Sequence, residues 1–137
     1  MMSLEERMLH MLRETKTIAT VGFSSSPHKP SHYVPRYLME HGYKVVPVNP
    51  NAEEILGEKA YPLLEEVPGE VDMVQLFRPS DEVGPHVEQA IEMGAKFLWM
   101  QLGIRNKEAA ARARDAGLEV VQDRCLMVEH RRLRDQL

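Results

Sequence analysis

Ile18-Ala19-Thr20-Val21-Gly22-Phe23-Ser24-Ser25-Ser26-Pro27-His28-Lys29 is the stretch around which the rest of the chain is arranged. Its first four residues are apolar or β-branched, the composition of a buried strand. Gly22 then permits a sharp turn and a close approach of backbone. Three serines and a lysine follow, and helical spacing begins near Ser31. Strand, glycine turn, hydroxyl-rich loop and helix start together offer free N–H groups and the positive end of a helix dipole. That is a phosphate-holding arrangement.

Outward from this stretch the elements alternate. Ser3 and Glu6 form a capping-box pattern ahead of Leu4, Met8, Met11 and Leu12 at helical spacing. Beyond the loop, Val34, Tyr37, Leu38 and His41 share a helix face that stops at Gly42, with Pro35 assigned to the first turn. Tyr43 to Val48 reads as a second strand and ends in Asn49-Pro50-Asn51. The region from Glu53 to Glu70 is less regular, with an extended piece at Ala60-Tyr61 and a helical turn from Leu63 to Val67. Val71 to Phe77 is a third strand, followed by a helix capped by Ser80 and ended by Gly94. Lys96 to Met100 is the fourth strand. Asn106 caps an alanine-rich helix, Leu118 to Val121 is the fifth strand, and an arginine-rich tail lies over the strand ends.

Three junctions repeat one local grammar: His41-Gly42-Tyr43-Lys44-Val45-Val46, Met93-Gly94-Ala95-Lys96-Phe97-Leu98 and Ala116-Gly117-Leu118-Glu119-Val120-Val121. In each, a helix stops at glycine and a strand starts two residues on. Repeated αβ junctions predict parallel strands joined by right-handed crossovers. The expected fold is α/β: a Rossmann-like, three-layer α/β/α domain over residues 1–137 with a five-stranded parallel sheet in the order 3-2-1-4-5.

The 137 residues are 43% hydrophobic and 28% charged, and carry a formal net charge of −4. There is no basic surplus of the kind a general nucleic-acid binder shows. No apolar run approaches the roughly 20 residues that span a bilayer, so no membrane association is expected. Glu5, Glu6 and Arg7 stand where a signal peptide would need an apolar centre, which makes the cytoplasm the expected location. A single cysteine, Cys125, excludes an internal disulfide and a cysteine-built zinc site.

In such a sheet, ligands bind outside the carboxyl ends of the strands, where the strand order reverses. The expected order puts that point between the first and fourth strands. The exits hold Gly22 to Ser26, Asn49 to Asn51, Phe77 to Ser80, Gln101 to Ile104, and Asp123 to Cys125. Lys29, Arg78, Arg105 and Arg124 are candidate phosphate partners. Asn49-Pro50 is equally well read as a plain turn, and Gln101 as a residue that satisfies backbone groups. A dinucleotide site is disfavoured: the second and third glycines of G-x-G-x-x-G are missing, and Asn49 stands where an acidic residue would meet the ribose. No G-x-x-x-x-G-K-[ST] occurs either. The six histidines are scattered, and Pro30 separates His28 from His32.

Val21-Gly22-Phe23-Ser24, Val45-Val46-Pro47-Val48-Asn49-Pro50-Asn51, Ile55-Leu56-Gly57-Glu58-Lys59, Trp99-Met100-Gln101-Leu102-Gly103 and Asp123-Arg124-Cys125 carry a resemblance over nearly the whole chain. It resembles the small stand-alone CoA-binding domain proteins, which are similar to the N-terminal domain of the succinyl-CoA synthetase α subunit. The resemblance implies a site for coenzyme A or an acyl-CoA, with no catalysis by this chain alone, because the synthetase's phosphorylated histidine belongs to a second domain. It implies Gly22, Ser24 and Ser25 at the phosphates with Lys29 in reach, Phe23 among the cofactor-binding residues, and Asn49 and Pro50 beside the nucleotide. It places Phe77 and Arg78 at the middle of the ligand, and Gln101, Leu102 and Gly103 on the pantetheine side. Where that family usually has a proline after Asp-Arg-Cys and a tyrosine later, this chain has Leu126 and His130. A small NAD(P)-linked enzyme and a subunit that depends on a partner protein are the alternatives.

Overall fold

A computed structural model describes residues 1–137. Helix α1 (Leu4–Glu14) starts on the expected capping box: Glu6 N–H donates to Ser3 Oγ at 3.1 Å, and Ser3 N–H donates to the Glu6 carboxylate at 3.2 Å. Then follow β1 (Thr17–Val21), α2 (Pro30–Glu40), β2 (Lys44–Val48) and a small hairpin of β3 (Glu54–Ile55) and β4 (Glu58–Lys59). The chain continues through β5 (Met73–Leu76), α3 (Gly84–Glu92), β6 (Phe97–Met100), α4 (Lys107–Asp115), β7 (Glu119–Val121) and α5 (Leu126–Leu133). Five of the strands form one all-parallel sheet.

Side chains alternate across that sheet, as the strand period of two requires. Ile18, Val45, Met73, Phe97 and Trp99 face one core, shared with α1, α2 and α5. Ala19, Val21, Val46, Val48, Val74, Leu76, Leu98 and Met100 face the other, shared with α3, α4 and the 3-10 turn at Leu64–Glu66. The three-layer α/β/α architecture is the one the junctions predict.

The strand order differs from the expectation. The sheet runs β2-β1-β5-β6-β7, which in sheet strands alone is 2-1-3-4-5 and not 3-2-1-4-5. The third strand lies between the first and the fourth, leaving β2 at the edge. Two contacts hold it there. The Asp72 carboxylate accepts the N–H groups of Lys16 and Thr17 at 2.9 and 3.0 Å, and in the core Thr20 Oγ1 donates to Gln75 Oε1 at 2.8 Å. The edge position of β2 also suits Pro47, which cannot donate to a neighbour on its outer side.

Two helix boundaries also differ. Ser80 opens a 3-10 turn and does not cap α3; its Oγ accepts Arg105 N–H at 3.0 Å, and α3 itself begins at Gly84. Pro35 lies inside α2, beyond the first turn. The carbonyl that its missing N–H would have met, that of Ser31, accepts Ser24 N–H instead, at 3.0 Å.

The tail forms α5, docked on α1 and α2. His130, 5% exposed, sits at that joint with its Nδ1 2.8 Å from the Tyr37 hydroxyl. His41 and Tyr43 are packed edge-on against it, Arg131 lies over the Tyr37 ring, and Arg134 follows on the same segment. Burial, with His41 and Arg134 adding positive charge, holds His130 below the usual imidazole range. Below about pH 6.5 the unfolded chain takes up a proton that the folded protein refuses until the pH reaches its own lower value. Stability is therefore expected to be full above pH 6.5 and to decline as the pH falls beneath it. His130→Gln keeps a polar partner for Tyr37 and removes the titration. Melting temperatures from pH 7 to pH 5 should fall less steeply in this variant than in the parent, and parallel curves would refute the assignment.

Candidate ligand-binding cleft

A cleft of about 820 Å³ opens at the C-terminal ends of β1, β2 and β5. It lies where the order reverses, since the chain passes from β1 outward to β2 and then back across β1 to β5. The corrected order moves the crevice from the exits of the first and fourth strands to those of the first and third.

The floor is Gly22, at φ +88°, whose N–H donates to Val48 C=O at 2.9 Å. A β-carbon there would stand 3.2 Å from both Cβ and O of Phe77. Only glycine combines that backbone conformation with that approach. Beyond it the loop is held from three sides. Ser24 N–H reaches the Ser31 carbonyl, Ser24 Oγ accepts Ser26 N–H at 3.0 Å, and Ser24 C=O accepts the Nδ1–H of His32 at 2.7 Å. His32 is 3% exposed and stands edge-on to Phe23. From the next loop, Asn49 Nδ2 donates to Phe23 C=O at 2.8 Å while its Oδ1 accepts Asn51 N–H at 2.8 Å. Ser24 and Asn49 thus shape the rim of the cleft, and Ser25, whose N–H has no partner within the protein, is exposed on it.

Two cations line the space, Lys29 at the start of α2 and Arg78 at the exit of β5. Arg78 is paired with Glu82 at 2.8 Å. The other two candidates are committed elsewhere: Arg105 lies 3.6 Å from Asp123, and Arg124 binds the buried Glu129 at 3.1 Å. The far wall is Pro62, Leu63 and Leu64 on one side and Pro85, His86 and Gln89 of α3 on the other. Burial and the positive charge of Arg78 hold His86 below the ordinary imidazole range. A free N–H, two cations and the positive end of α2 around one concavity suit an anionic, phosphate-bearing ligand.

Of the residues expected in the site, the structure brings together Gly22, Ser24, Ser25, Lys29, Asn49, Pro50 and Arg78. Phe77 is half-buried against Gly22, just behind the lining. Phe23 is fully buried in the core beneath α2. Gln101 is also buried: its Oε1 accepts Gln75 Nε2 at 3.3 Å and Leu126 N–H at 3.2 Å. Leu102 is exposed and Gly103 donates its N–H to Asp123 at 2.7 Å, both at the exit of β6 and away from the cleft. The walls from the 3-10 turn and from α3 are absent from the expectation. Pro47 was the available signal, because a proline inside the second strand argues for an edge, and an edge there brings α3 to the crevice.

The fold and its crevice define a doubly wound α/β domain with a polar, phosphate-suited site at the switch point. Residues 16–131 match the family described as CoA binding domain, and the chain belongs to that family. It is 38% identical over 120 residues to the uncharacterised protein YneT of Bacillus subtilis, covering 88% of this chain and 89% of that one. It is 38% identical over 90 residues to the alpha subunit of ADP-forming acetate–CoA ligase II of Pyrococcus furiosus, covering 65% of this chain but 20% of the subunit. A hypothetical protein of Pyrococcus horikoshii superposes with a TM-score of 0.92 at 44% identity, over 96% of this chain and 92% of that one. No helix is long and apolar enough to cross a membrane.

Proposed function

We propose that this chain is a single-domain cytoplasmic protein that binds coenzyme A or an acyl-CoA in the cleft at the ends of β1, β2 and β5, and that it performs no catalysis alone. The loop from Gly22 to Lys29 carries the reading: a glycine floor, an unpartnered N–H at Ser25 and a cation at the helix start, in a chain of this family. The phosphates would lie over Gly22 between Ser25, Lys29 and Arg78, with the nucleotide bordered by Asn49 and Pro50. The second reading, a subunit that acts with a partner protein, draws on the match to a ligase subunit five times longer than the matched region.

Charge-assisted bonds to phosphate are the stronger kind, so the nucleotide end is expected to dominate affinity. Titration calorimetry should find CoA, acetyl-CoA and succinyl-CoA within about tenfold of one another, roughly 1.4 kcal/mol, and pantetheine far weaker. Saturating CoA should also raise the melting temperature by mass action. Tighter binding of NAD or NADP than of CoA, or no CoA binding at all, would overturn the proposal.

A further inference from the structure

His86 lies on the α3 wall of the cleft, beside Arg78 and one turn before Gln89. Its Nδ1 is closed off from solvent, and Gln89 on the next turn is the side chain placed to hydrogen-bond the ring. The ring thus shares one cleft with Arg78 and Lys29, where an arriving anion alters the charge around it. The charged groups around the ring come from separate elements. Arg78 and Glu82, bonded to each other, stand on the β5–α3 turn, and Lys29 lines the same cleft from the β1–α2 loop. The remaining walls, Asn49 to Asn51 and Pro62 to Leu64, carry no ionisable side chain.

We propose, resting on the reading of the cleft as a coenzyme A site, that His86 is its proton-coupled anion partner: the imidazole takes up a proton as a phosphate group is seated against Arg78. In the free protein, burial and the Arg78 charge favour the neutral ring, and they outweigh the opposing pull of Gln89 and Glu82. A phosphate brings negative charge to the same place, cancels the Arg78 field at His86 and accepts from the imidazolium, both of whose nitrogens donate. The proton comes from the solvent, and no covalent step is involved. His86 therefore makes the site selective for dianionic phosphate over neutral portions of the ligand, and makes that selectivity depend on pH.

The test is calorimetry of CoA with the parent protein and with His86→Gln, between pH 6 and pH 8 in two buffers of different ionisation enthalpy. Free CoA is the same in both titrations, and the NMR titration of the His86 ring assigns the difference in proton uptake to that ring. The parent is expected to take up more protons than the variant, by up to one per CoA. Its affinity should fall more steeply with rising pH, by up to about tenfold per unit. In the NMR spectrum, the His86 ring of the parent should titrate at higher pH with inorganic pyrophosphate or CoA bound than without. Equal proton counts in the two proteins, with CoA bound to both, overturn the role of His86 and leave the coenzyme A reading intact. If CoA binds to neither folded protein at any pH, the reading of the cleft fails and this inference fails with it.

Discussion

Gly22→Val is expected to lower the melting temperature by about 10–20 °C, at roughly 4 °C per kcal/mol for a chain of this size. Two costs combine. A β-branched residue at φ +88° is in the left-handed region, a penalty of about 1–2 kcal/mol. Its β-carbon would also stand 3.2 Å from the Phe77 Cβ and carbonyl oxygen, and overpacking of that kind costs about 1–3 kcal/mol. Relief requires the exits of β1 and β5 to move apart, which displaces Arg78 and deforms the floor of the cleft. Loss of CoA binding should accompany the loss of stability. Gly22→Ala keeps the backbone strain with less bulk and should fall between. Thermal denaturation of the series decides it: a valine variant that melts with the parent would show that the loop relaxes without glycine.

The second large effect concerns Gln101. Its Oε1 is the shared acceptor for Gln75 Nε2 and Leu126 N–H, at the end of a buried chain that begins at the Thr20 hydroxyl and crosses three strands to the start of α5. Gln101→Leu preserves much of the volume and leaves two buried donors without an acceptor, at about 1–3 kcal/mol each. A fall in melting temperature of about 10 °C or more is expected. Hydrogen exchange should show α5 opening more readily than the rest of the sheet. CoA affinity measured on the fraction that remains folded should change little. The opposite pattern, an unaltered melting point with lost affinity, would place Gln101 in the ligand site.

These two residues mark how far the sequence was legible. The glycine-stopped junctions, the caps at Ser3 and Asn106 and the buried apolar strands all depend on neighbours along the chain, and they read correctly. Strand order does not, because it is decided by pairs such as Thr20 with Gln75 and Asp72 with the Lys16 and Thr17 N–H groups, more than fifty residues apart. Pro47 carried the missing information locally. Around the cleft, the places of Gly22, Ser24, Ser25, Lys29, Asn49, Pro50 and Arg78 were legible from the strand exits, whereas those of Pro85, His86 and Gln89 depend on the strand order and stayed hidden. Gln101 shows the converse ambiguity: a polar residue closing an apolar strand serves either a ligand or the core, and only its hydrogen bonds distinguish them.

The bond from Ser24 N–H to the Ser31 carbonyl exists because Pro35 leaves that carbonyl without its helical donor. The smallest portable unit of this site therefore extends past the glycine-serine loop. A graft of residues 22–29 onto another sheet would arrive with its anchoring acceptor already occupied by an ordinary helix. A graft that runs on through Pro35 brings the vacancy along with the loop, so the proline, far from any ligand, belongs to the inheritance of the binding site.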